Sequence, residues 1–340
     1  MRHVAAVAAV FFAFAARPAT SGEIALVCSF QEDWCRLMAT AFERETGVTV
    51  AVVRRSTGEA YAQFKAEAAR PRADVWWGGT GDPHLLAAAD GLTEPYRSPR
   101  LAELHPWAIS VAEKSGWRTV GVIAGTLAIA WNEPALAARG IPRPRCWRDL
   151  ADPAYRGLVQ TSDPNASGTA YTMLATVVTL MGEDGAFAYL KALHPNVNAY
   201  TRSGSIPARS VATGESPVGI TFLDNALVQI KAGAANVRTS SPCEGTAYEI
   251  GSMSLIKGAR NPADARRFYD WALSAPAQEL GIAAGLSFSI PSNRAARPPA
   301  GVPDLATLKI VDYDFEKFGR PETRARLLKR FDSEVRGQSN

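Results

Sequence analysis

Three β-type runs, residues 24–27, 48–53 and 73–77, each end in a polar turn and lead into a segment with helical periodicity. The helical stretch 33–46 carries Trp34, Leu37, Met38, Ala41 and Phe42 at helical spacing and stops at Gly47; the next helices are expected over 59–69 and 84–89. Three strand-to-helix steps in a row define a βαβαβ unit with a parallel sheet. The run 48–53 is apolar except for Thr49, as expected for a parallel strand covered on both faces. Open parallel sheets bind ligands at the carboxyl ends of their strands, and the polar clusters Ser29, Ser56-Thr57 and Gly79-Thr80 all fall there.

A fourth step of this kind lies in the second half of the chain. A strand at 158–160 runs into Ser162-Asp163-Pro164-Asn165-Ala166-Ser167-Gly168-Thr169-Ala170-Tyr171 and then into an apolar segment at 173–181. Asp, Asn and Ser are N-cap residues, and the first turn of a helix presents amide N–H groups and the positive end of its dipole. Such a start, rich in Ser and Thr, can hold phosphate, sulfate or carboxylate without a cationic side chain. Ser167, Gly168 and Thr169 are therefore candidate anion-binding residues.

Between these units, residues 92–117 read as loop, and 119–131 as an apolar strand pair around Gly125, with a crossing between lobes near 125–132. Short helices are expected at 133–139 and 147–150, longer ones at 185–193 and 205–213, and a strand at 217–222 breaks into a helix at 224–231. Residues 247–256 provide a second crossing, followed by helices at 262–273 and 276–283. The basic residues of the tail, 324–336, read as the wet face of an amphipathic helix packed on the outside. The expected fold is α/β, a two-lobed clamshell with two inter-lobe crossings, whose cleft closes on a small ligand by hinge motion. Its parts are 1–21 as leader, 22–127 as the first lobe, 128–250 as the second, and 251–340 as the return with C-terminal helices.

The leader follows from the amino terminus. Met1-Arg2-His3 precedes a short apolar run and Ala13-Phe14-Ala15, the pattern of a secretory signal peptide, and the run falls short of the roughly 20 residues that span a bilayer. An exported location makes disulfides the expected state of Cys28, Cys35, Cys146 and Cys243. Three pairings are open; the close spacing of Cys28 and Cys35 suggests a local bridge, leaving Cys146 with Cys243. No C-x-x-C occurs, which leaves zinc and thioredoxin-like chemistry without support. The net charge of +4 is spread without a basic run, so nucleic acid is not an expected partner.

Signals for catalysis are weak. Gly214-Glu215-Ser216-Pro217-Val218-Gly219 has the wrong spacing for a nucleophile elbow, and no P-loop is present. His84 reads as a cap or packing residue. Trp76 and Trp77 alternate across a strand and belong to packing, while Arg54, Arg55 and Arg202 read as solvated cations outside the main site.

Four stretches resemble the periplasmic solute-binding proteins of ABC importers, in the type II group that binds ferric iron, sugar phosphates or phosphonates. They are residues 28–35, the run Ala73-Asp74-Val75-Trp76-Trp77-Gly78-Gly79-Thr80-Gly81-Asp82-Pro83-His84, residues 163–171, and Cys243-Glu244-Gly245-Thr246-Ala247-Tyr248-Glu249-Ile250-Gly251. The resemblance implies a periplasmic monomer that captures a small anionic solute and passes it to a permease in the inner membrane, with no cofactor and no catalytic residue. Ferric members of the fold use adjacent tyrosines with His or Glu, because a hard trivalent ion favours phenolate and carboxylate oxygens. No Tyr-Tyr occurs here, so no metal site is expected, and ferric iron is the alternative to a phosphate ester or phosphonate. A secreted enzyme acting on a phosphate ester is the second alternative. By resemblance to the sugar-phosphate members, Ser29, Thr80, Ser167 and Thr169 donate to the anionic group, and Asp224 and Glu244 select the organic part. Ser56, Thr57, Gly79 and Gly168 complete the expected site. Where those members have a His-Asp pair, this chain has Leu223-Asp224, so the organic part of its ligand is expected to differ. An amino-phosphonate suits such a site, since an ammonium pairs with a carboxylate.

Overall fold

The computed structural model describes residues 22–303 and 307–338; the expected leader lies outside them. Strand β1 (Glu23–Cys28), helix α1 (Glu32–Thr46), β2 (Thr49–Arg54), α2 (Thr57–Ala66), β3 (Val75–Thr80) and α3 (Gly81–Ala89) follow the expected alternation. β1 lies between β2 and β3 and is parallel to both, with Leu26 paired to Val52 and Val75. Trp34, Met38 and Phe42 recur on one face of α1 and are buried against the sheet. The helix ends where Gly47 turns left-handed at φ 73° and returns its N–H to Glu43.

Helix α4 (Pro106–Lys114) leads to β4 (Val120–Asn132), and α5 (Glu133–Ala137) follows. The second lobe continues with β5 (Val159–Ser162), α6 (Gly168–Leu193), β6 (Val197–Thr201), α7 (Ile206–Thr213), β7 (Val218–Phe222), α8 (Leu223–Lys231) and β8 (Val237–Ser240). α6 breaks at Gly182, which sits at φ 71° and ψ 166°. The chain returns through β9 (Tyr248–Leu255), α9 (Pro262–Ala272), α10 (Ala275–Ala283) and β10 (Ile290–Pro291), and ends in α11 (Phe315–Phe318) and α12 (Pro321–Arg330).

The strands run in the order β2-β1-β3-β9-β4-β7-β5-β6, and β4 belongs to both lobes. Its first half pairs with β9, Ala124 against Ile250, and its second half with β7 and β8, Ile129 against Ile220 and Ala130 against Thr239. The expected strand pair around Gly125 is thus one continuous strand of 13 residues. An apolar run carries no mark of whether it folds back or continues, and here it continues. The returning crossing lies beside it: Leu127 N–H donates to Ala247 O at 3.2 Å, and the Thr246 hydroxyl donates to Leu127 O at 2.8 Å. One core gathers around Trp34, Phe42, Trp77 and Phe268, the other around Trp147, Tyr171, Phe187 and Phe331.

Two further expectations are corrected. β2 is an edge strand, with Thr49 and Ala51 exposed and Val53 40% exposed, so it is not covered on both faces. The tail is an amphipathic helix whose Leu327, Phe331 and Val335 enter the second lobe's core, but its basic residues are not all wet: buried Arg324 lies 4.0 Å from the Tyr171 ring centroid. The polar face seen in the sequence is real, but its apolar stripe and one arginine stem find a partner that lies far away in the chain.

The disulfides are Cys28–Cys35 and Cys146–Cys243. The first ties the carboxyl end of β1 to α1 and so holds the polar turn at Ser29. The second closes a separation of 97 residues, the first only 7. Loop-closure entropy then predicts stabilisations of about 4.7 and about 2.5 kcal/mol. Thermal denaturation of the two double cysteine-to-alanine variants tests this: the Cys146/Cys243 variant is expected to melt lower, and the reverse order would contradict the entropic account.

Candidate functional site

Each strand that points at the cleft ends in a helix start. Ser56 is the N-cap of α2, Thr80 of α3, Ser167 of α6, Ser205 of α7 and Phe222 of α8. First-turn N–H groups have no acceptor within their own helix. α2 and α3 come from the first lobe and α6, α7 and α8 from the second, and all five starts line one cavity of about 80 Å³ between the lobes.

The lobes are in contact around it. Gly58 N–H donates to Ala166 O at 3.0 Å, and Gly168 N–H donates to Thr57 Oγ1 at 3.2 Å. Thr57 Oγ1 in turn lies 3.3 Å from Thr80 Oγ1. Glycine is required at two of these places. A Cβ on Gly168 would stand 1.7 Å from Thr80 Oγ1, and one on Gly79, at φ 78°, would stand 2.3 Å from Thr57 Cγ2. Without those side chains two hydroxyls and a helix start converge on one point.

Ser29 follows β1, and its hydroxyl accepts the Trp76 indole N–H at 2.9 Å, which leaves the hydroxyl proton to be donated into the cavity. Trp76 is held in turn by His84, stacked on it with centroids 3.5 Å apart. His84 is buried and neutral, its pKa lowered to about 3 by loss of water. Its Nε2 lies 3.1 Å from Gly78 O and its Nδ1 2.8 Å from Ser254 Oγ. Packing is its role, as expected. Ser167, which makes no side-chain cap hydrogen bond to α6, and Thr169 both stand on the cavity wall.

Three ionisable groups line the cavity. Arg54, the last residue of β2, donates from Nε to Phe30 O at 3.2 Å and from Nη2 across the cleft to Ser203 Oγ at 2.6 Å. Burial lowers its pKa, against the weaker pull of Glu59 and Glu32. Asp224, in the first turn of α8, accepts from the Ser289 hydroxyl at 3.3 Å; burial raises its pKa to about 6, opposed by hydrogen bonds from the Asn225 amide and Ser289. Glu249, on β9, accepts from Gly81 N–H at 2.6 Å and from the Thr172 hydroxyl at 3.0 Å. Burial first, and the nearby Asp82 carboxyl second, raise it well above the ordinary carboxylate range.

The structure thus brings Ser29, Ser56, Thr57, Gly79, Thr80, Ser167, Gly168, Thr169 and Asp224 to one cavity. It does not bring Glu244 there. That carboxylate accepts from Trp147 N–H at 2.8 Å and Arg148 N–H at 3.1 Å and pairs with Arg148 Nε at 3.2 Å, capping the turn beside the Cys146–Cys243 bridge. Glu244 and the two cysteines form the one tight metal-type cluster among the described residues, and the disulfide removes its thiolates. Ser56 lines the wall, but its hydroxyl is engaged with Glu59 Oε2 at 2.8 Å.

Several cavity residues were not expected. Arg54 sits at a strand's carboxyl end, the same signal that singled out Ser56, and was set aside as a solvated cation. Asn225 adjoins Asp224 and accepts from Gln31 Nε2 across the cleft at 3.0 Å. Ser203 lies in a turn without periodicity, and Ser205 at the start of the expected helix 205–213 carries no mark of facing a cleft. Glu249 sits inside an apolar strand, where nothing local distinguishes it from a surface position.

The family model described as bacterial extracellular solute-binding protein matches residues 81–317. The chain is similar to the periplasmic binding protein AfuA of Actinobacillus pleuropneumoniae, solved with exogenous fructose-6-phosphate bound. Identity is 41% and the TM-score 0.90, over 93% of this chain and 99% of that one. It is similar to the periplasmic binding protein P5PA at 36% identity and a TM-score of 0.89, over 93% of this chain and 100% of that one. An uncharacterized protein of Haemophilus influenzae is 41% identical over 93% of this chain and 91% of its own length.

Because Gly168 and Thr80 meet across the cleft, Gly168→Ala is expected to hold the lobes apart while leaving each core intact. Small-angle scattering should give a larger radius of gyration than the parent protein in the same buffer, with far-UV dichroism unchanged. An equal radius, with the parent closed, would show that the contact does not control closure.

Proposed function

The chain belongs to the bacterial extracellular solute-binding protein family, and from that premise we propose that it is the periplasmic, non-enzymatic component of an ABC importer that captures a phosphate ester or phosphonate. The observation that carries this is the convergence of helix starts from both lobes, with Ser and Thr hydroxyls and one partly dehydrated arginine, on a single cavity. Such donors match the three oxygens of a phosphoryl group, and charge-assisted hydrogen bonds to them are about twice as strong as neutral ones. AfuA, solved with fructose-6-phosphate, supports the class of ligand.

In this assignment Ser29, Thr57, Thr80, Ser167 and Thr169 bind the phosphoryl oxygens, and Gly168 lets the lobes close over them. Arg54 balances their charge and, through Ser203, joins the lobes. Asp224, Asn225 and Ser289 meet the organic part, against walls formed by Phe30, Ile123 and Phe222. Leu223 is buried and offers no polar atom where a histidine was expected, so the recognition of that part falls to Asp224 and its neighbours. The lobes comprise 22–127 with the return from 251, and 128–250 joined by the tail. They close about β4 and β9, no bond is made or broken, and the closed form docks on a permease in the inner membrane.

A thermal-shift panel of sugar phosphates, phosphonates, carboxylates and ferric citrate tests the ligand class, since a ligand that binds only the folded state raises the melting temperature. Phosphate esters or phosphonates are expected to shift it. A shift with ferric salts alone, together with a charge-transfer band, would replace the proposal by iron binding, and turnover of a panel compound would replace it by catalysis. Ser167→Ala with Thr169→Val should weaken binding of the best panel compound by about thirtyfold or more, from the loss of two hydrogen bonds to a charged group. Unchanged affinity would remove these residues from the site.

A further inference from the structure

Glu249 occupies an unusual place. It is buried, it lies on the returning crossing β9, and its two oxygens reach opposite lobes. Oε1 takes the N–H of Gly81, the first residue of α3, and Oε2 faces the hydroxyl of Thr172 in the second turn of α6. These helices carry Thr80 and Ser167 as their N-caps, so Glu249 ties together the two sides of the anion seat from behind.

The groups around it leave its charge poorly balanced. From α3 the buried Asp82 carboxyl faces it; Asp82 Oδ2 accepts from Tyr313 OH at 2.8 Å, while its Oδ1 has no partner among the described residues. Tyr171 comes from α6, Tyr248 from its own strand, and Tyr313 and Arg324 from the tail. Arg324, the nearby cation among the described residues, lies over the Tyr171 ring and acts on Asp82. Two carboxylates buried together do not both ionise beside a single cation.

We propose that Glu249 is a positioning residue for the bound solute: in the closed form its protonated carboxyl bridges α3 and α6, so that solute capture takes up a proton. Ionised, Oε2 accepts from the Thr172 hydroxyl; protonated, Oε1 still accepts from Gly81 N–H and the Oε2–H donates to Thr172 Oγ1 over the same 3.0 Å. When the lobes part, Thr172 leaves with α6, water reaches the carboxyl and the proton departs. The closed form therefore gains as pH falls and loses as pH rises above the ordinary Glu range, because the group's pKa is raised in the closed form. This rests on the cleft being a solute site but not on which solute fills it, since closure on any guest makes the same bridge.

Calorimetry of the full mature chain in two buffers of different ionisation enthalpy, near pH 7, measures the proton directly. The probe is fructose 6-phosphate, or ferric citrate if that alone raises the melting temperature. The wild-type protein is expected to take up a net fraction of a proton, and Glu249→Gln distinctly less. Glutamine has the shape and hydrogen-bonding pattern of the protonated acid, so at about pH 8 this variant should bind more tightly than wild type, by about tenfold for each pH unit by which closure raises the carboxyl. Glu249→Ala, which lacks the bridge, should bind more weakly than wild type at about pH 5, the end of the range where protonation of the closed form is most favoured. The Asp224 carboxyl and a phosphate probe also titrate near neutrality, which is why the difference between wild type and Glu249→Gln is decisive. Equal proton uptake in the two proteins, or weaker binding by Glu249→Gln at about pH 8, would overturn the proposal. If neither probe binds, the radius of gyration of the ligand-free protein at about pH 5 and about pH 8 is the readout. It should increase with pH in wild type, as the closed form is lost, and stay constant in Glu249→Gln; equal responses would overturn the proposal, while the failed panel alone would count against the ligand class.

Discussion

The first-turn amides of α2, α3, α6 and α8 have no acceptors within their own helices, and the molecule is organised so that these starts meet. A start buried without a partner is costly, and a start left in water is not a site. The lobes resolve this by offering each other side-chain and carbonyl oxygens: Thr57 Oγ1 takes the Gly168 N–H, and Ala166 O takes the Gly58 N–H. The same contacts leave Ser167 and Thr169 hydroxyls turned to the cavity with hydrogen-bonding capacity to spend on a guest. Under the proposed function closure and binding are one event, since the groups assigned to the guest line the same cavity at which the lobes touch.

That arrangement depends on rigid placement of each start. Ser29 is fixed from three sides, by the Cys28–Cys35 bridge, by the Trp76 indole and, behind that, by the stacked and neutral His84. Gly168 and Gly79 matter for the atoms they lack, because a methyl group at either would separate groups that must touch. The hinge is similarly economical. β4 is shared between the two sheets, and the returning crossing binds to it at Leu127, so the lobes pivot about a pair of adjacent strands.

Charge in the cleft is balanced without a metal-type cluster at the cavity among the described residues. Arg54 supplies one cation, thinly solvated and tied to both lobes, while Asp224 and Glu249 are carboxyls that burial drives toward their neutral forms. An anion entering between them meets donors on most sides. The acidic groups stand where a hydroxyl or ammonium of the same guest could meet them.

Local pattern was enough to place most of the site. Ser29, Ser56-Thr57, Gly79-Thr80 and Ser167-Gly168-Thr169 all follow an apolar run and precede a helix, and a parallel sheet puts the carboxyl ends of its strands on one edge, so sequence order alone predicts their meeting. Asp224 follows the same rule at β7. Glu244, assigned by the family resemblance alone, is not at the site: its carboxylate caps the turn beside the Cys146–Cys243 bridge. What only the tertiary structure decided is which polar groups become dry and which do not. Arg54 and Glu249 look ordinary in sequence, and the buried tail arginine looks like a solvated one; their surroundings come from segments many tens of residues away. Hydrogen bonding and hydrophobic periodicity act over a few residues and can be seen along the chain, whereas desolvation is a property of everything that closes around a group, and that exists only once the two lobes have met.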